Sequence, residues 1–297
     1  MFLGIDVGGT KMQFAVGVGE DVFVLNKVPT PSRYAELLQV VEEHCSEAEK
    51  RFEYAGKIVE MGIGIPGTFT KERVVWVPNI PCLEGQDLAG DLRTRLGAGV
   101  YLGNDAQLAL AGEVWKGAGR ENSNAILMSI GTGIGGAIMI GDRIVKGRRG
   151  AAGALGWLNL DASVPGDKNH GYLENYASGT GIAGVGETHV PPLSTYEIVA
   201  KAKEGDSFCR KTMDRAGHLI GAGLASVASV LDTEIIILSG GLSEAIETFK
   251  KPMLDSFIEY AAPGVEQVPI VKSELGNLSG AYGAVRLAMV RGDMWIG

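Results

Sequence analysis

The segment Asp6-Val-Gly-Gly-Thr-Lys11 brings together a carboxylate, two glycines, a hydroxyl group and an amine at the end of an apolar stretch. Glycines permit positive φ angles and let backbone N–H groups approach an anion closely. Thr10 and Lys11 could then contact phosphate oxygens, and Asp6 could hold a hydrated Mg²⁺ ion. A tight hairpin, in which the Asp and Gly residues only satisfy the turn geometry, is the alternative.

A second glycine-rich segment, Gly131-Thr-Gly-Ile-Gly-Gly136, loosely matches the G-x-G-x-x-G pattern of dinucleotide-binding turns. Such a turn leads from a strand into a helix, whereas the apolar run Ala137–Ile140 predicts that this chain returns as a strand. No Walker A sequence ending in Gly-Lys-Ser/Thr occurs in the chain. We therefore interpret this segment as a second phosphate-binding hairpin, with a purely structural turn as the alternative.

Asn104-Asp105 lies between a predicted strand, Val100–Gly103, and a predicted helix, Ala106–Lys116. The junction between a strand and the following helix is where α/β proteins place their ligands. A carboxylate at this point can accept the proton of an attacking hydroxyl group, while the neighbouring amide orients the substrate. The alternative is a helix N-cap, for which Asp and Asn are preferred residues.

Ser239-Gly240-Gly241 follows a β-branched strand at Glu234–Leu238 and precedes a helix predicted to begin at Glu244. A flat group such as adenine could lie against the bare backbone of the two glycines. A simple turn between strand and helix explains the same residues equally well.

Strands and helices alternate along the chain, which indicates an α/β fold. Short apolar runs predict strands at Phe2–Asp6, Met12–Val16, Ile58–Ile65, Val100–Gly103, Ala125–Ile130, Ala137–Ile140 and Glu234–Leu238. Apolar residues at helical spacing predict helices at Glu36–Lys50, Ala106–Lys116, Tyr196–Glu204, Thr212–Leu231 and Ala281–Val290.

The order strand, Gly/Thr-rich turn, strand occurs twice, at Leu3–Val18 and at Leu127–Asp142. Two copies of one hairpin this far apart predict a duplicated architecture with one hairpin per domain. We place the boundary near Gly117–Asn122. This gives a small N-terminal α/β domain at 1–118, joined by the C-terminal helix 281–297, and a larger C-terminal α/β domain at 119–280.

The composition is that of an ordinary globular protein, since 45% of the 297 residues are hydrophobic and 21% are charged. Lys and Arg number 27 against 35 Asp and Glu, and this net charge of −8 argues against nucleic acid as a partner. Three widely spaced cysteines fit a reducing compartment. Neither a signal peptide nor a membrane span is predicted, so we expect a cytoplasmic protein with no membrane partner.

Taken together and in order, these motifs resemble those of the ROK family (repressors, open reading frames and sugar kinases). The matching segments, which are spread over nearly the whole chain, are Leu3–Lys11, Gly64–Gly67, Val77–Ile80, Leu102–Ala106, Gly131–Gly136, Glu174–Gly179 and Leu238–Leu242. The resemblance implies the two-domain, actin-like ATPase fold of the hexokinase/Hsp70/actin superfamily, with a duplicated ribonuclease H-like core. It also implies phosphoryl transfer from ATP to a sugar.

The resemblance assigns a role to each matching residue. ATP and Mg²⁺ would be the cofactors, and the residues that would bind them are Asp6, Gly8, Gly9, Thr10, Lys11, Thr132, Gly133, Gly240 and Gly241. The residues that would bind the sugar are Gly67, Asn79, Asn104, Asp105 and Glu174. Asp105 would be the general base for the hydroxyl that attacks the γ-phosphate, and Mg²⁺ would bridge the ATP phosphates near Asp6. A homodimer is implied in the same way.

The chain departs from the family pattern in two segments that would contact sugar or zinc. Many members have a Gly-Glu-x-Gly-His segment whose Glu contacts sugar and whose His contacts sugar and ligates zinc, and this chain has Gly153-Ala-Leu-Gly-Trp157 instead. The three cysteines of the family's zinc loop are replaced by Pro165, Asp167 and Tyr172. Because His170 alone cannot supply the four ligands of structural zinc, we expect no zinc site.

The predicted function is an ATP-dependent kinase that phosphorylates a hydroxyl group, of the primary 6-OH type, on a hexose or hexose-like substrate. In the family the missing Glu and His face the anomeric side of the ring. Their loss predicts an acceptor whose C1/C2 region differs from glucose, or a looser preference among sugars and sugar-like cyclitols, and glucose stacked on Trp157 is the alternative. Other interpretations are a kinase for a cyclitol or another sugar analogue, a catalytically inactive sugar-sensing protein, and an ATPase without a sugar substrate. A repressor is not expected, because roughly 70–80 residues of winged helix-turn-helix would precede the first phosphate loop.

Overall fold

Strands and helices alternate along this computed structural model, which describes residues 1–70, 73–77, 79–167 and 169–296. The strands are β1 (Phe2–Val7), β2 (Lys11–Val18), β3 (Asp21–Val24), β4 (Val28–Pro29), β5 (Glu60–Ile65), β6 (Thr68–Phe69), β7 (Val74–Trp76), β8 (Gly99–Asn104), β9 (Ala125–Ile130), β10 (Ile134–Ile140), β11 (Arg143–Val145), β12 (Ile235–Ser239), β13 (Ile270–Lys272) and β14 (Trp295–Ile296). The α-helices are α1 (Tyr34–Arg51), α2 (Leu88–Leu96), α3 (Asp105–Lys116), α4 (Tyr172–Ala177), α5 (Gly179–Gly186), α6 (Thr195–Glu204), α7 (Ser207–Leu231), α8 (Lys250–Tyr260) and α9 (Ser279–Met289). The predicted α/β class is confirmed. Pro78, Lys168 and Gly297, which belong to segments named above, lie outside the described residues.

The chain folds as two units. The first comprises Met1–Glu121, Ile138–Ala152 and the residues from Glu274 onward, and the second comprises Asn122–Ala137 and Gly153–Ser273. Helix α9, near the C-terminus, packs on the sheet of the first unit. The domain limits proposed from the sequence stay a prediction.

The sheet of the first unit has the strand order β3-β2-β1-β5-β8, with β4 paired to β2. β1 and β2 form the antiparallel hairpin that the sequence predicts. β1, β5 and β8 run parallel, so that Asp6 lies opposite Gly64 and Ile65 lies opposite Asn104. The carboxyl ends of β1, β5 and β8 therefore meet at one edge of the sheet, which is the edge where α/β proteins bind ligands.

Helix α9 approaches this sheet closely because glycines leave room for backbone-to-backbone contact. A Cβ atom at Gly62 in β5 would lie 2.0 Å from the carbonyl oxygen of Ala284. A Cβ atom at Gly283 in α9 would lie 1.8 Å from the carbonyl oxygen of Leu108 in α3. No side chain fits at either position. The backbone of α9 therefore contacts both the sheet and α3, the helix that begins at Asp105.

The second unit contains the parallel strands β13, β12 and β9, with β10 next to β9. Its core includes Met128 and Ile236 from the strands and Ile220, Leu224 and Phe257 from α7 and α8, all of them buried. No helix in the described part of the chain is both long enough and apolar enough to cross a bilayer.

The turn between β9 and β10 is shorter than predicted. The N–H of Gly131 donates to the carbonyl of Gly133 at 2.9 Å, and β10 already begins at Ile134. Gly135 and Gly136, predicted as part of the turn, are thus strand residues. As predicted, the chain continues from this turn as a strand and not as the helix of a dinucleotide-binding turn.

The helix predicted to begin at Glu244 is also different. Gly241–Thr248 forms a 3₁₀ helix, and the α-helix begins only at Lys250. The hydroxyl group of Ser243 donates to the carbonyl of Gly240 at 2.7 Å, and that of Thr248 donates to the carbonyl of Ala245 at 2.7 Å. These short-range hydrogen bonds compete with α-helical pairing, which explains the tighter winding.

Candidate functional site

Asp6 and Asp105 stand at the carboxyl edge of the parallel strands in the first unit. Asp6 is near the end of β1, and Asp105 is the first residue of α3, directly after β8. Burial is the main cause that raises the pKa of the Asp6 carboxyl to about 7; the negative charge of Asp105 adds to it and Lys27 opposes it. Two carboxylates predicted for the site therefore influence each other electrostatically.

Asn104 connects the start of α3 with the segment that follows β5. Its Oδ1 accepts hydrogen bonds from the N–H groups of Ala106 at 3.1 Å and Gln107 at 3.3 Å. Its Nδ2 donates to the carbonyl oxygen of Gly67 at 3.2 Å. The N-cap interpretation is thus confirmed for Asn104, and the same side chain holds the backbone of a second predicted site residue.

Asp105 is not the cap itself but the residue after it. Its Oδ1 accepts a hydrogen bond from the N–H of Ala106 at 2.8 Å. Burial raises the pKa of the Asp105 carboxyl, and this hydrogen bond counteracts part of the increase. A partly desolvated carboxylate at the start of a helix is suited to accept a proton.

The first glycine loop exposes backbone donors. Its ends are tied by the N–H of Gly8, which donates to the carbonyl of Lys11 at 3.0 Å. Gly9, Thr10 and Lys11 are exposed, and within the described residues the N–H groups of Gly9 and Thr10 donate no backbone hydrogen bond. Exposed N–H groups next to a lysine can bind an anion, as the sequence predicts for this loop.

Asn79 lies beside this loop. A Cβ atom at Gly9 would lie 2.7 Å from the Cβ of Asn79, so only glycine allows the two segments to approach so closely. Asn79 itself has a positive φ of 72°, which is uncommon for a residue other than glycine. The first unit thus places a predicted sugar-binding residue against the predicted nucleotide loop.

The backbone conformation and the close packing at position 67 both require a glycine. Its φ is +124°, and a Cβ atom would lie 2.0 Å from the carbonyl oxygen of Trp76. Any side chain at this position would push the β6–β7 hairpin away. The carbonyl of Gly67, which accepts from Asn104, is thereby held at the same sheet edge as Asp105.

In the second unit, Glu174 is bound to the second glycine loop. Its Oε2 accepts a hydrogen bond from the N–H of Ile134 at 2.8 Å, and a Cβ atom at Gly133 would lie 2.3 Å from the same oxygen. The N–H of Thr180 donates to the carbonyl of Thr132 at 3.1 Å, and the side chain of Thr132 is exposed. The sequence predicted Glu174 only as a sugar ligand, so its support of the loop is new.

The two glycines after β12 have different surroundings. Gly240 has a φ of +84°, and a Cβ atom there would lie 2.5 Å from the carbonyl oxygen of Ile130. Packing therefore requires glycine at 240. A Cβ atom at Gly241 would meet nothing within 4 Å, so the backbone at Gly241 has open space beside it, as expected for a surface that receives a flat group.

The segment that departs from the family pattern packs next to Glu174. Leu155–Trp157 forms a 3₁₀ turn, and a Cβ atom at Gly156 would lie 3.1 Å from the Cβ of Glu174. The side chain of Trp157 is 54% exposed. His170 lies 3.4 Å from an oxygen of Asp167, and no group of three or more His, Cys, Asp or Glu in the described part of the chain is arranged to hold a metal.

Two polar residues on the buried face of α3 were not predicted from the sequence. The Nε2 of Gln107 lies 3.3–3.5 Å from the carbonyl oxygens of Val145, Lys146, Gly150 and Ala152. The carboxylate of Glu113 accepts hydrogen bonds from the N–H groups of Ala118, Glu274 and Leu275 and from the hydroxyl group of Ser279. Both side chains are fully buried. A polar residue within an otherwise apolar helix face is the sequence feature that could have predicted these buried side chains.

Comparisons with known proteins agree with this geometry. A sequence model described as the ROK family matches residues 2–291. N-acetyl-D-glucosamine kinase of Escherichia coli O139:H28 (strain E24377A / ETEC) is 31% identical over 308 residues, which cover 97% of this chain and 99% of that protein.

Two solved structures are similar over nearly the whole chain. The ROK hexokinase from Thermus thermophilus is 28% identical, with a TM-score of 0.89, and 98% of each chain is covered. A ROK family glucokinase from Streptomyces griseus in complex with glucose and AMPPNP is 28% identical, with a TM-score of 0.76, covering 97% of this chain and 99% of that one. The actin-like ATPase fold expected from the sequence is confirmed by these similarities.

Proposed function

This chain belongs to the ROK family, and on that basis we propose that it is an ATP-dependent sugar kinase. It transfers the γ-phosphoryl group of ATP to a hydroxyl group, of the primary 6-OH type, on a hexose or hexose-like acceptor. A homodimeric state, which the family resemblance implies, and a cytoplasmic location, which the three widely spaced cysteines favour, are part of the proposal.

The main support is the convergence of Asp6, Asn104 and Asp105 at the carboxyl edge of the parallel strands β1, β5 and β8. Phosphoryl transfer needs a base at the nucleophile, neutralisation of the phosphate charge and alignment of the reacting atoms. A carboxylate next to an amide at a strand–helix junction meets the first requirement, and a second carboxylate nearby can serve the second through a cation.

Asp105 is assigned the role of general base. It accepts the proton of the acceptor hydroxyl as that oxygen attacks the γ-phosphorus. Burial raises the pKa of Asp105 and so makes its carboxylate a stronger base, while the N–H of Ala106 favours the ionised form that must receive the proton. Asn104 caps α3 and orients Asp105 by holding the first turn of that helix.

Asp6 fits a place in the water shell of a Mg²⁺ ion that is bound to ATP. Burial and then the negative charge of Asp105 raise the pKa of its carboxyl to about 7. A divalent cation would favour the ionised form. Mg²⁺ is commonly held by one or two carboxylates together with substrate phosphates, which matches a single protein carboxylate here. When bound, the ion neutralises phosphate charge.

The nucleotide is assigned to three backbone segments. In the first, Gly9 and Thr10 offer exposed N–H groups, Thr10 a hydroxyl group and Lys11 an amine to phosphate oxygens, while the N–H of Gly8 closes the loop. Thr132 and Gly133 belong to the second loop, which Glu174 supports. The open space beside the Gly241 backbone, with Gly240 before it, is suited to the flat adenine ring.

The acceptor is assigned to Gly67, Asn79, Asn104, Asp105 and Glu174. Ala154 and Trp157 stand where many family members have a Glu and a His that contact sugar. A site without these hydrogen bonds discriminates less strongly between sugars that differ in the part of the ring that the Glu and His would contact. We therefore propose an acceptor that differs from glucose in its C1/C2 region, and N-acetyl-D-glucosamine, the substrate named for a relative, is the first compound to test.

A coupled ADP-release assay over a panel of hexoses, amino sugars and cyclitols tests the proposal. We expect the highest kcat/KM for a sugar other than glucose. Glucose as the best acceptor by a wide margin would contradict the acceptor assignment, and a cyclitol as the best acceptor would favour the alternative kinase. Sugar binding by calorimetry without ADP release would favour an inactive sensor.

A further inference from the structure

A basic pocket lies in the first unit outside the residues assigned to ATP and acceptor. Its volume is about 520 Å³, and its lining includes Lys146, Arg148 and Arg149 on one side and Thr68, Phe69 and Val75 of the β6–β7 hairpin on the other. Thr68 directly follows Gly67, whose carbonyl accepts from Asn104.

The two arginines are presented by a defined turn. The N–H of Gly150 donates to the carbonyl of Gly147 at 3.0 Å, which closes a turn with Arg148 and Arg149 at its centre. Gly147 and Gly150 have φ values of 71° and 73°, a region that favours glycine. The Nε2 of the buried Gln107 side chain lies 3.5 Å from the carbonyl oxygen of Lys146 and 3.4 Å from that of Gly150, so it contacts the backbone at both ends of this turn.

The charged side chains that line this pocket are all cations. Within the described residues, neither arginine nor Lys146 forms an ion pair, and Lys146 instead lies over the ring of Phe69 at 5.6 Å from its centroid. The chain as a whole carries a net charge of −8. Three cations around one pocket of an acidic protein are a local feature and not a result of general basicity.

We propose that this pocket binds a phosphate group, carried by a small molecule such as a sugar phosphate or present as free phosphate. Arginine side chains match phosphate oxygens in pairs and form charge-assisted hydrogen bonds with them. Phe69 and Val75 supply an apolar surface beside the charges, which suits the carbon skeleton of a phosphate monoester. The inference does not depend on the proposed kinase activity, because binding is measured without turnover.

Calorimetric titration of the full chain tests the inference, with N-acetylglucosamine 6-phosphate and inorganic phosphate as the probes and saturating AMPPNP present. We expect the double variant Arg148→Ala/Arg149→Ala to weaken binding of the phosphorylated probe at least tenfold. Tighter binding of the sugar phosphate than of inorganic phosphate assigns the site to a monoester, and equal binding assigns it to free phosphate. Both results support a phosphate site.

The control variant Lys203→Ala/Lys211→Ala removes two exposed cations from α6 and α7 and should leave every dissociation constant within twofold. Unphosphorylated N-acetylglucosamine should bind the arginine variant and the unmodified protein equally, and both should show the same Tm. Unchanged affinity for both phosphate probes in the arginine variant would overturn the inference. Loss of AMPPNP affinity in that variant would also overturn it, because the cations would then belong to the nucleotide site.

Discussion

Glu174 accepts a hydrogen bond from the backbone N–H of Ile134, the first residue after the second glycine loop, at 2.8 Å. The carboxylate that the family resemblance assigns to the sugar is thus attached to the loop that the same resemblance assigns to phosphate. The proposed acceptor site and the proposed nucleotide site therefore share this side chain.

We therefore expect Glu174→Ala to raise the KM for ATP as well as the KM for the acceptor. Loss of a charged acceptor leaves the Ile134 N–H without its partner, which costs about 1–3 kcal/mol and lets the loop move. Steady-state kinetics with each substrate varied in turn measures both constants. Glu174→Gln is the matched control, since its amide oxygen can still accept from Ile134 and should largely preserve the KM for ATP. If Glu174→Ala changed only the KM for the acceptor, Glu174 would contribute to sugar binding and not to nucleotide binding.

Asp105→Asn should reduce kcat by at least about 100-fold, because general-base catalysis typically contributes a factor of 10²–10⁴. The amide keeps the size of the side chain but cannot accept the proton. Nucleotide affinity, measured by titration with AMPPNP, should stay within a few-fold of the unmodified protein. A variant that retains kcat within a few-fold would remove Asp105 from this role.

The raised pKa of Asp6 predicts a pH-dependent stability in Mg²⁺-free buffer without nucleotide. The native carboxyl keeps its proton up to pH about 7, whereas the ordinary value is 3.8. Between these values the native state binds more protons than the unfolded state, so the free energy of unfolding falls as the pH rises, by up to about 1.4 kcal/mol per pH unit. Below this window the stabilisation is fully present, and above pH about 7 it is lost.

Asp6→Asn removes this ionisation and should flatten the slope across the same window. Urea denaturation at a series of pH values with EDTA measures the difference between the two proteins. The variant should be the more stable protein at pH 7, since it buries no charge at this position. Parallel stability curves for both proteins would show that Asp6 titrates normally.

Glu113→Ala should destabilise the first unit by about 3 kcal/mol or more. The fully buried carboxylate accepts hydrogen bonds from the N–H groups of Ala118, Glu274 and Leu275 and from the Ser279 hydroxyl group. Buried donors left without partners cost about 1–3 kcal/mol each. Urea denaturation measures the loss. Ser279→Ala removes a single donor, leaves the backbone donors in place and should cost about 1 kcal/mol; equal losses in the two variants would contradict the assigned network.

The replacement of three family cysteines by Pro165, Asp167 and Tyr172 predicts that the protein carries no structural zinc. Elemental analysis of the purified chain should therefore find well under one zinc per chain. Treatment with a strong chelator should leave the Tm unchanged. About one zinc per chain would refute the prediction.

Features that depend on neighbouring residues were predicted well. Three elements were predicted from apolar spacing and turn residues that lie close together along the chain. They are the hairpin of β1 and β2, the strand that follows the second glycine loop and the helix after Asn104. Predictions were wrong where local preferences compete. Gly135 and Gly136 were predicted as turn residues but extend β10, and Ser243 and Thr248 favour a 3₁₀ helix over the predicted α-helix.

The amino-acid sequence alone determined the family and the fold class and indicated the candidate site positions, because each motif consists of neighbouring residues and their order along the chain is kept. Only the tertiary structure decided how these positions support one another. Gln107 reaches the loop that carries Arg148, and Glu113 reaches Ser279 near the other end of the chain. Such partners are distant along the chain, and a buried polar group meets them only after strands and helices have packed.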